Sequence, residues 1–245
     1  MPELTLYDHR SSICSQMARL VLIEKGLDFR RQEIDIMDTN EQFEPWYVTM
    51  NPRAVVPTLR IDDEIVTDTI NIVNRAQTMT GPDLSDDDTV QNWLKDIMAL
   101  HYGVLLYRNR LDADGTAPQI IARGQFLQQL AQDRPDLADT TKARLEGNRR
   151  FQDLLRNPDQ VGQHLDATRG LVDRMIDAVS LQPYLAGEEY SLADSFATAA
   201  LARLIIHELD EWWSDTPLED YYQRMKSRPS FKLADVIDTG TERDL

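Results

Sequence analysis

Asn51-Pro52-Arg53-Ala54-Val55-Val56-Pro57-Thr58-Leu59-Arg60-Ile61-Asp62-Asp63-Glu64-Ile65-Val66-Thr67-Asp68-Thr69 is the stretch that decides the fold. It reads as a rigid turn, a strand, a tight hairpin, a second strand and the start of a helix. Pro57 follows two β-branched residues and opens the strand that begins at Thr58. Proline is tolerated at the first residue of a strand because its missing N–H need not join the ladder. An X–Pro bond is also where a cis peptide is cheap, and we expect one at Val56–Pro57. Such a bond would turn the Val56 N–H and C=O outward and offer an extended ligand one donor and one acceptor. Asp62 and Asp63 occupy the hairpin turn between Ile61 and Ile65.

Upstream, residues 4–7 read as a short strand, residues 8–12 as a polar turn and residues 17–25 as a helix. Gly26 stops that helix in the C′ position. Residues 29–36 then read as a second strand. The order over residues 1–80 is therefore strand, helix, strand, helix, strand, strand, helix. Residues 80–88, TGPDLSDDD, form a linker rich in Gly, Pro and Asp. Beyond it the pattern is helical. Residues 90–107 read as one helix with an apolar face at Leu94, Ile97, Met98, in part His101, and Leu105, widened by Trp93, Leu100 and Val104. Residues 171–181 are amphipathic. Residues 195–209 are nearly all apolar, as a buried central helix would be. Ser191 and Asp194 fit the N-cap and third helical position of a capping box. The polar middle, about 110–165, reads as an insertion that lengthens two helices and their loop.

The chain has 245 residues, enough for two small domains. No apolar run approaches the roughly 18 residues of a membrane span, and no stretch has the layout of a signal peptide. Cys14 is the single cysteine, which fits a reducing cytoplasm. A formal charge of −16 argues against nucleic acid and anionic membranes as partners. The four histidines and Cys14 include no close-spaced pair, so no metal site is expected.

Ser11-Ser12-Ile13-Cys14-Ser15, Glu24-Lys25-Gly26-Leu27, Asn51-Pro52, Val56-Pro57-Thr58-Leu59 and Asp68-Thr69, followed far downstream by Tyr184-Leu185-Ala186-Gly187 and Ser191-Leu192-Ala193-Asp194, resemble the signatures of the glutathione transferase family. The resemblance implies an α/β N-terminal thioredoxin-like domain over 1–80 and an all-α C-terminal helical bundle over 89–245. It implies glutathione as co-substrate, a small aromatic second substrate and a homodimer. The family stabilises the glutathione thiolate at a helix N-terminus, where free N–H groups and the positive end of the dipole lie. Ser12, Cys14 and Ser15 compete for the catalytic role. Ser12 falls where serine-type and cysteine-type members place that residue. Cys14 as nucleophile would mean thiol–disulfide exchange, removing glutathione rather than adding it.

The same resemblance gives Val56 and Pro57 the backbone pairing with the cysteine moiety of glutathione. Asp68 and Thr69 take the γ-glutamyl end, with Asp68 shorter than the family's usual residue. Val55 is apolar where relatives carry a polar group, so Arg53 or Gln42 is left for the glycine carboxylate. Trp93, Met98, Tyr102, Tyr107, Trp212 and Trp213 are the candidates for the second-substrate pocket. The wording of the motifs leans toward the bacterial β-aryl-etherase-like group, in which an aryl ether oxygen leaves. The alternatives are a zeta-like glutathione-dependent isomerase and a non-catalytic, regulatory relative that binds a partner.

Overall fold

The computed structural model describes residues 2–239. Four strands form one sheet: β1 (Leu4–Asp8), β2 (Arg30–Glu33), β3 (Thr58–Ile61) and β4 (Glu64–Thr67), in the order β2-β1-β3-β4. β1 runs parallel to β2 and antiparallel to β3, and β3 runs antiparallel to β4. Every residue of β1 is buried, as suits a central strand, whereas the edge strand β2 reads Arg-Arg-Gln-Glu and faces solvent. α1 (Ile13–Glu24) connects β1 to β2 as a parallel pair requires. α2 (Pro45–Met50) precedes β3, and α3 (Thr69–Gln77) follows β4. This is the thioredoxin-like arrangement. Gly26 takes φ +66° after α1, as the C′ position requires.

Eight further helices follow among the described residues. They are α4 (Asp88–Met98), α5 (Tyr102–Tyr107), α6 (Pro118–Asp133), α7 (Ala138–Leu155), α8 (Pro158–Leu181), α9 (Leu192–Ile206), α10 (Pro217–Ser227) and α11 (Pro229–Leu233). The chain divides into two compact units, one of Met1–Ala99 with Leu171–Leu245 and one of Leu100–Gly170. In the first unit, α1 packs on α3, α9 and α11, and α4 packs on α9. Leu6, Met17, Leu20, Val21, Leu59, Ile72 and Phe196 are all buried in this unit.

The single helix expected over 90–107 is two. α4 ends at Met98, and α5 begins after His101, whose backbone is not helical and whose Nδ1 accepts the Val104 N–H at 3.3 Å. The apolar spacing carries straight through this break because periodicity does not register a side chain that caps. The His101 ring also stacks on Phe151 of α7 with centroids 4.9 Å apart. Gly103 makes room for the stack, since a Cβ there would lie 2.9 Å from Phe151 Cζ. In the second unit α6 and α7 pack along each other, and Asn148 donates from α7 to the Ile120 carbonyl at 2.9 Å.

Candidate functional site

Ser12 is the N-cap of α1, with φ −69° and ψ 120°, and its hydroxyl accepts the Ser15 N–H at 3.3 Å. That bond uses an oxygen lone pair and leaves the hydroxyl hydrogen available to donate. The first turn of α1 holds no acidic residue, so the positive end of the helix is not offset within it. Ser15 is fully buried and its hydroxyl accepts the His9 N–H at 3.3 Å, which ties down the preceding turn. Cys14 is partly exposed. Burial raises its thiol above the ordinary value, the Thr69 hydroxyl bonded to it works the other way, Asp68 raises it, and Arg203 and Arg53 lower it. The starts of α1 and α3 therefore meet at Cys14 and Thr69.

The Val56–Pro57 bond is cis, as expected. The Val55 carbonyl is held twice, by the Tyr47 hydroxyl at 2.7 Å and the Asn51 amide at 2.8 Å. Val56 packs beside the buried cluster of Tyr7, Ile34 and Tyr47. Its own N–H and carbonyl join no backbone hydrogen bond among the described residues. Burial pushes the Tyr47 phenol up to about 12, so it stays a donor at any ordinary pH. Pro57 is buried.

Asp68 caps α3 through the Ile70 N–H at 3.1 Å and takes φ +77° with ψ 135°. A non-glycine residue in that region is held by its surroundings, and such strain gathers at functional sites. Arg53 Nη1 pairs with Asp68 Oδ2 at 3.0 Å. Thr69 is buried at the first position of α3. Gln42 is also buried, donates to Asn40 Oδ1 at 3.4 Å, and leaves its Oε1 without a partner among the described residues. No hydrogen bond or ion pair joins it to Arg53, Asp68 or α1 among the described residues.

The aromatic candidates are distributed differently. Trp93 is buried, donates its indole N–H to the Leu185 carbonyl at 3.1 Å, and lies under the Arg174 guanidinium at 5.0 Å. Met98 closes α4 half-buried. Tyr102 and Tyr107 belong to the second unit, where Tyr107 packs on Phe151 at 5.9 Å. Trp212 ends a short 3-10 turn and is half-buried, while Trp213 after it is buried. A cavity of about 570 Å³ lies at the far end of α1, lined by Leu4, Gly26, Leu27, Phe29, Met79 and Gly81. It contains none of the candidate residues.

Two groups that support the site were not singled out from the sequence. Arg19 and Asp8 form a fully buried ion pair beneath the turn at 8–12, and Arg19 Nε also holds the Ala234 carbonyl at 2.6 Å. Arg203 of α9 donates to the Ser11 carbonyl. The signal for Arg203 was a lone cation inside an apolar run; Arg19 carried the same signal in residues 17–23.

Residues 11–78 match the family model described as Glutathione S-transferase, N-terminal domain. The chain is 32% identical over 242 residues to a tetrachloro-p-hydroquinone reductive dehalogenase of Sphingobium chlorophenolicum, covering 97% of each. It is 28% identical to the glutathione S-transferase TCHQD of Arabidopsis thaliana, over 94% of this chain and 88% of that one. Its fold is similar to that of the beta-etherase LigF from Sphingobium sp. strain SYK-6, with TM-score 0.70 and 21% identity over 94% of this chain and 98% of that one. The chain belongs to the glutathione S-transferase family, whose co-substrate is glutathione.

Proposed function

We propose that the protein activates the glutathione thiol at the start of α1 and directs it at an electrophilic carbon, bearing a leaving group, of an apolar aromatic substrate. The thiolate displaces that group: a carbon–sulfur bond forms, the carbon–halogen or carbon–oxygen bond breaks, and the bond pair departs with the halide or aryloxide. The observation that carries this reading is the open N-terminus of α1, capped by a serine with a hydrogen to donate and set against Thr69 of α3. Ser12 stabilises the thiolate. Val56 supplies backbone pairing on the support that Tyr47 and Asn51 give its neighbour. Thr69 and Asp68 take the γ-glutamyl end, and Arg53 serves the glycine carboxylate. We assign Met98, Trp212 and Trp213 of the first unit to the aromatic substrate's surroundings. A relative named for a chlorinated hydroquinone favours halide as leaving group; the aryl ether oxygen is the alternative within the same chemistry. No helix among the described residues is long and apolar enough to cross a membrane. We assign the protein to the cytoplasm, as a homodimer of two-domain subunits.

A second reading is favoured by the bond between Cys14 and Thr69. After conjugation, the Cys14 thiolate would attack the glutathione sulfur of the aryl adduct. Cys14 and glutathione form a disulfide, and the arene leaves with the electron pair and takes a proton. A second glutathione then regenerates Cys14 and departs as glutathione disulfide. Kinetics with glutathione and a chlorinated hydroquinone, a chloronitroarene, a β-aryl ether and a maleyl-type acid separate the readings. We expect turnover of the aryl halides. Turnover of the small acid alone would indicate an isomerase. No turnover despite glutathione binding would indicate a non-catalytic relative. A Cys14→Ser variant that stops at the glutathionyl arene would establish the second reading.

A further inference from the structure

α9 is apolar along almost its whole length, and Arg203 interrupts it while only 7% exposed. A guanidinium taken out of water is expensive unless its donors are used. Arg203 Nη2 donates to the carbonyl of Ser11, the residue before the α1 cap. A cation from a different helix thus holds the backbone of the turn that presents Ser12.

Around that turn Arg10 pairs with Asp235, and Asp8 pairs with Arg19 and Arg31; toward the start of α1 three further elements bring charge. Arg53 lies in the loop before β3, Asp68 at the start of α3 and Arg203 on α9. Arg53 and Asp68 pair with each other at 3.0 Å and are partly solvated, so solvent and salt screen them. Arg203 is buried, where screening is weak. Its field already reaches a sulfur in this place, since it lowers the Cys14 thiol. Arginine suits the role because it stays charged and its planar fork fixes direction.

We propose that Arg203 is a positioning residue for thiol activation: clamped to the Ser11 carbonyl, it orders the Ser12 turn and lends a buried positive charge to the thiolate of glutathione bound there. The inference rests on the reading of the α1 start as the thiol site. The test is the ultraviolet thiolate absorbance of glutathione-saturated protein, minus glutathione-free protein, followed against pH. Wild type, Arg203→Lys and Arg203→Gln are compared, each first shown to be folded by circular dichroism. Gln retains a donor for Ser11 and loses the charge; Lys retains the charge.

We expect the bound thiol of Arg203→Gln to titrate about one pH unit higher than in wild type, with thiolate reduced by up to about tenfold at pH values below both midpoints and with turnover recovering at high pH. Arg203→Lys should titrate close to wild type. A folded Arg203→Gln that titrates like wild type overturns the proposal. So does an Arg203→Lys that behaves like Arg203→Gln, because the charge would then not be the agent. Absence of any thiolate signal in wild type at saturating glutathione would sink the activation reading itself, which separates that failure from the failure of Arg203.

Discussion

Ser12 caps α1 and Ser191 caps α9, yet one helix start is open and the other is closed. At α9 the Ser191 N–H and hydroxyl both donate to Asp194 Oδ2 at 2.8 Å. Asp194 Oδ1 accepts the Leu185 N–H at 3.0 Å and the Tyr221 hydroxyl at 2.7 Å. All of it is buried, and the acid in the first turn offsets the dipole. At α1 the cap makes one long bond of 3.3 Å, the turn holds no acid, and Ser12 remains partly exposed. The same residue type serves stability where its partners are complete, and is left for an incoming anion where they are not.

Asp194→Ala breaks the closed start most severely. It strands four buried donors at once, so we expect a loss of about 3–5 kcal/mol in urea unfolding, or failure to fold. A loss under about 1 kcal/mol would mean the cluster is not a unit. Ser191→Ala should cost about 1 kcal/mol and leave glutathione chemistry unchanged per folded molecule.

The far end of α1 gives a second contrast. Glu24 is held by Arg228, at 2.7 and 2.8 Å, and by the Ser230 hydroxyl. Burial works to raise its carboxyl, but these bonds outweigh it and hold the group below the ordinary value. A depressed carboxyl contributes stability that is full above its unfolded pKa, about 4.3, and is lost as pH falls through the lower folded value. Arg228→Met should therefore weaken the protein at neutral pH and flatten its stability profile below about pH 5. An unchanged acid profile would remove Glu24 from the account.

Cys14 sharpens the contrast at the open start. Because burial raises its thiol, alkylation by iodoacetamide should be slow at neutral pH and rise with an apparent pKa above the ordinary value of about 8.5. A pKa below 7 would make Cys14 an activated nucleophile and favour thiol exchange.

The element order of the first eighty residues was legible because proline, glycine and hydrophobic alternation act locally, as at Val56–Pro57, the hairpin at Asp62 and the stop at Gly26. The cap at Ser191 was legible for the same reason, whereas the helix read over 17–25 begins four residues earlier, at Ile13, with Ser12 as its cap. The break at His101 was not, because it depends on a ring stacked against Phe151, about fifty residues away in sequence. Arg203 was not either: only the fold reveals that its donor ends on Ser11. Trp93 looked available as a pocket wall, but its indole N–H is used on Leu185, a contact no periodicity encodes. Two adjacent tryptophans cannot both face the core of one helix, and Trp212 and Trp213 lie instead at the end of a 3-10 turn, the first half-buried and the second buried.

The central claim is that the open start of α1, through Ser12, activates glutathione. The direct measurement is steady-state turnover of glutathione with a chloronitroarene, for wild type and Ser12→Ala, across pH. We expect kcat at neutral pH to fall more than about tenfold, equivalent to about 1.4 kcal/mol for one lost hydrogen bond to the thiolate. KM for glutathione should change much less, and the deficit should narrow as pH rises and the thiol ionises unaided. Unchanged turnover in a folded Ser12→Ala, with activity abolished instead by Ser15→Ala or Cys14→Ser, would contradict the account.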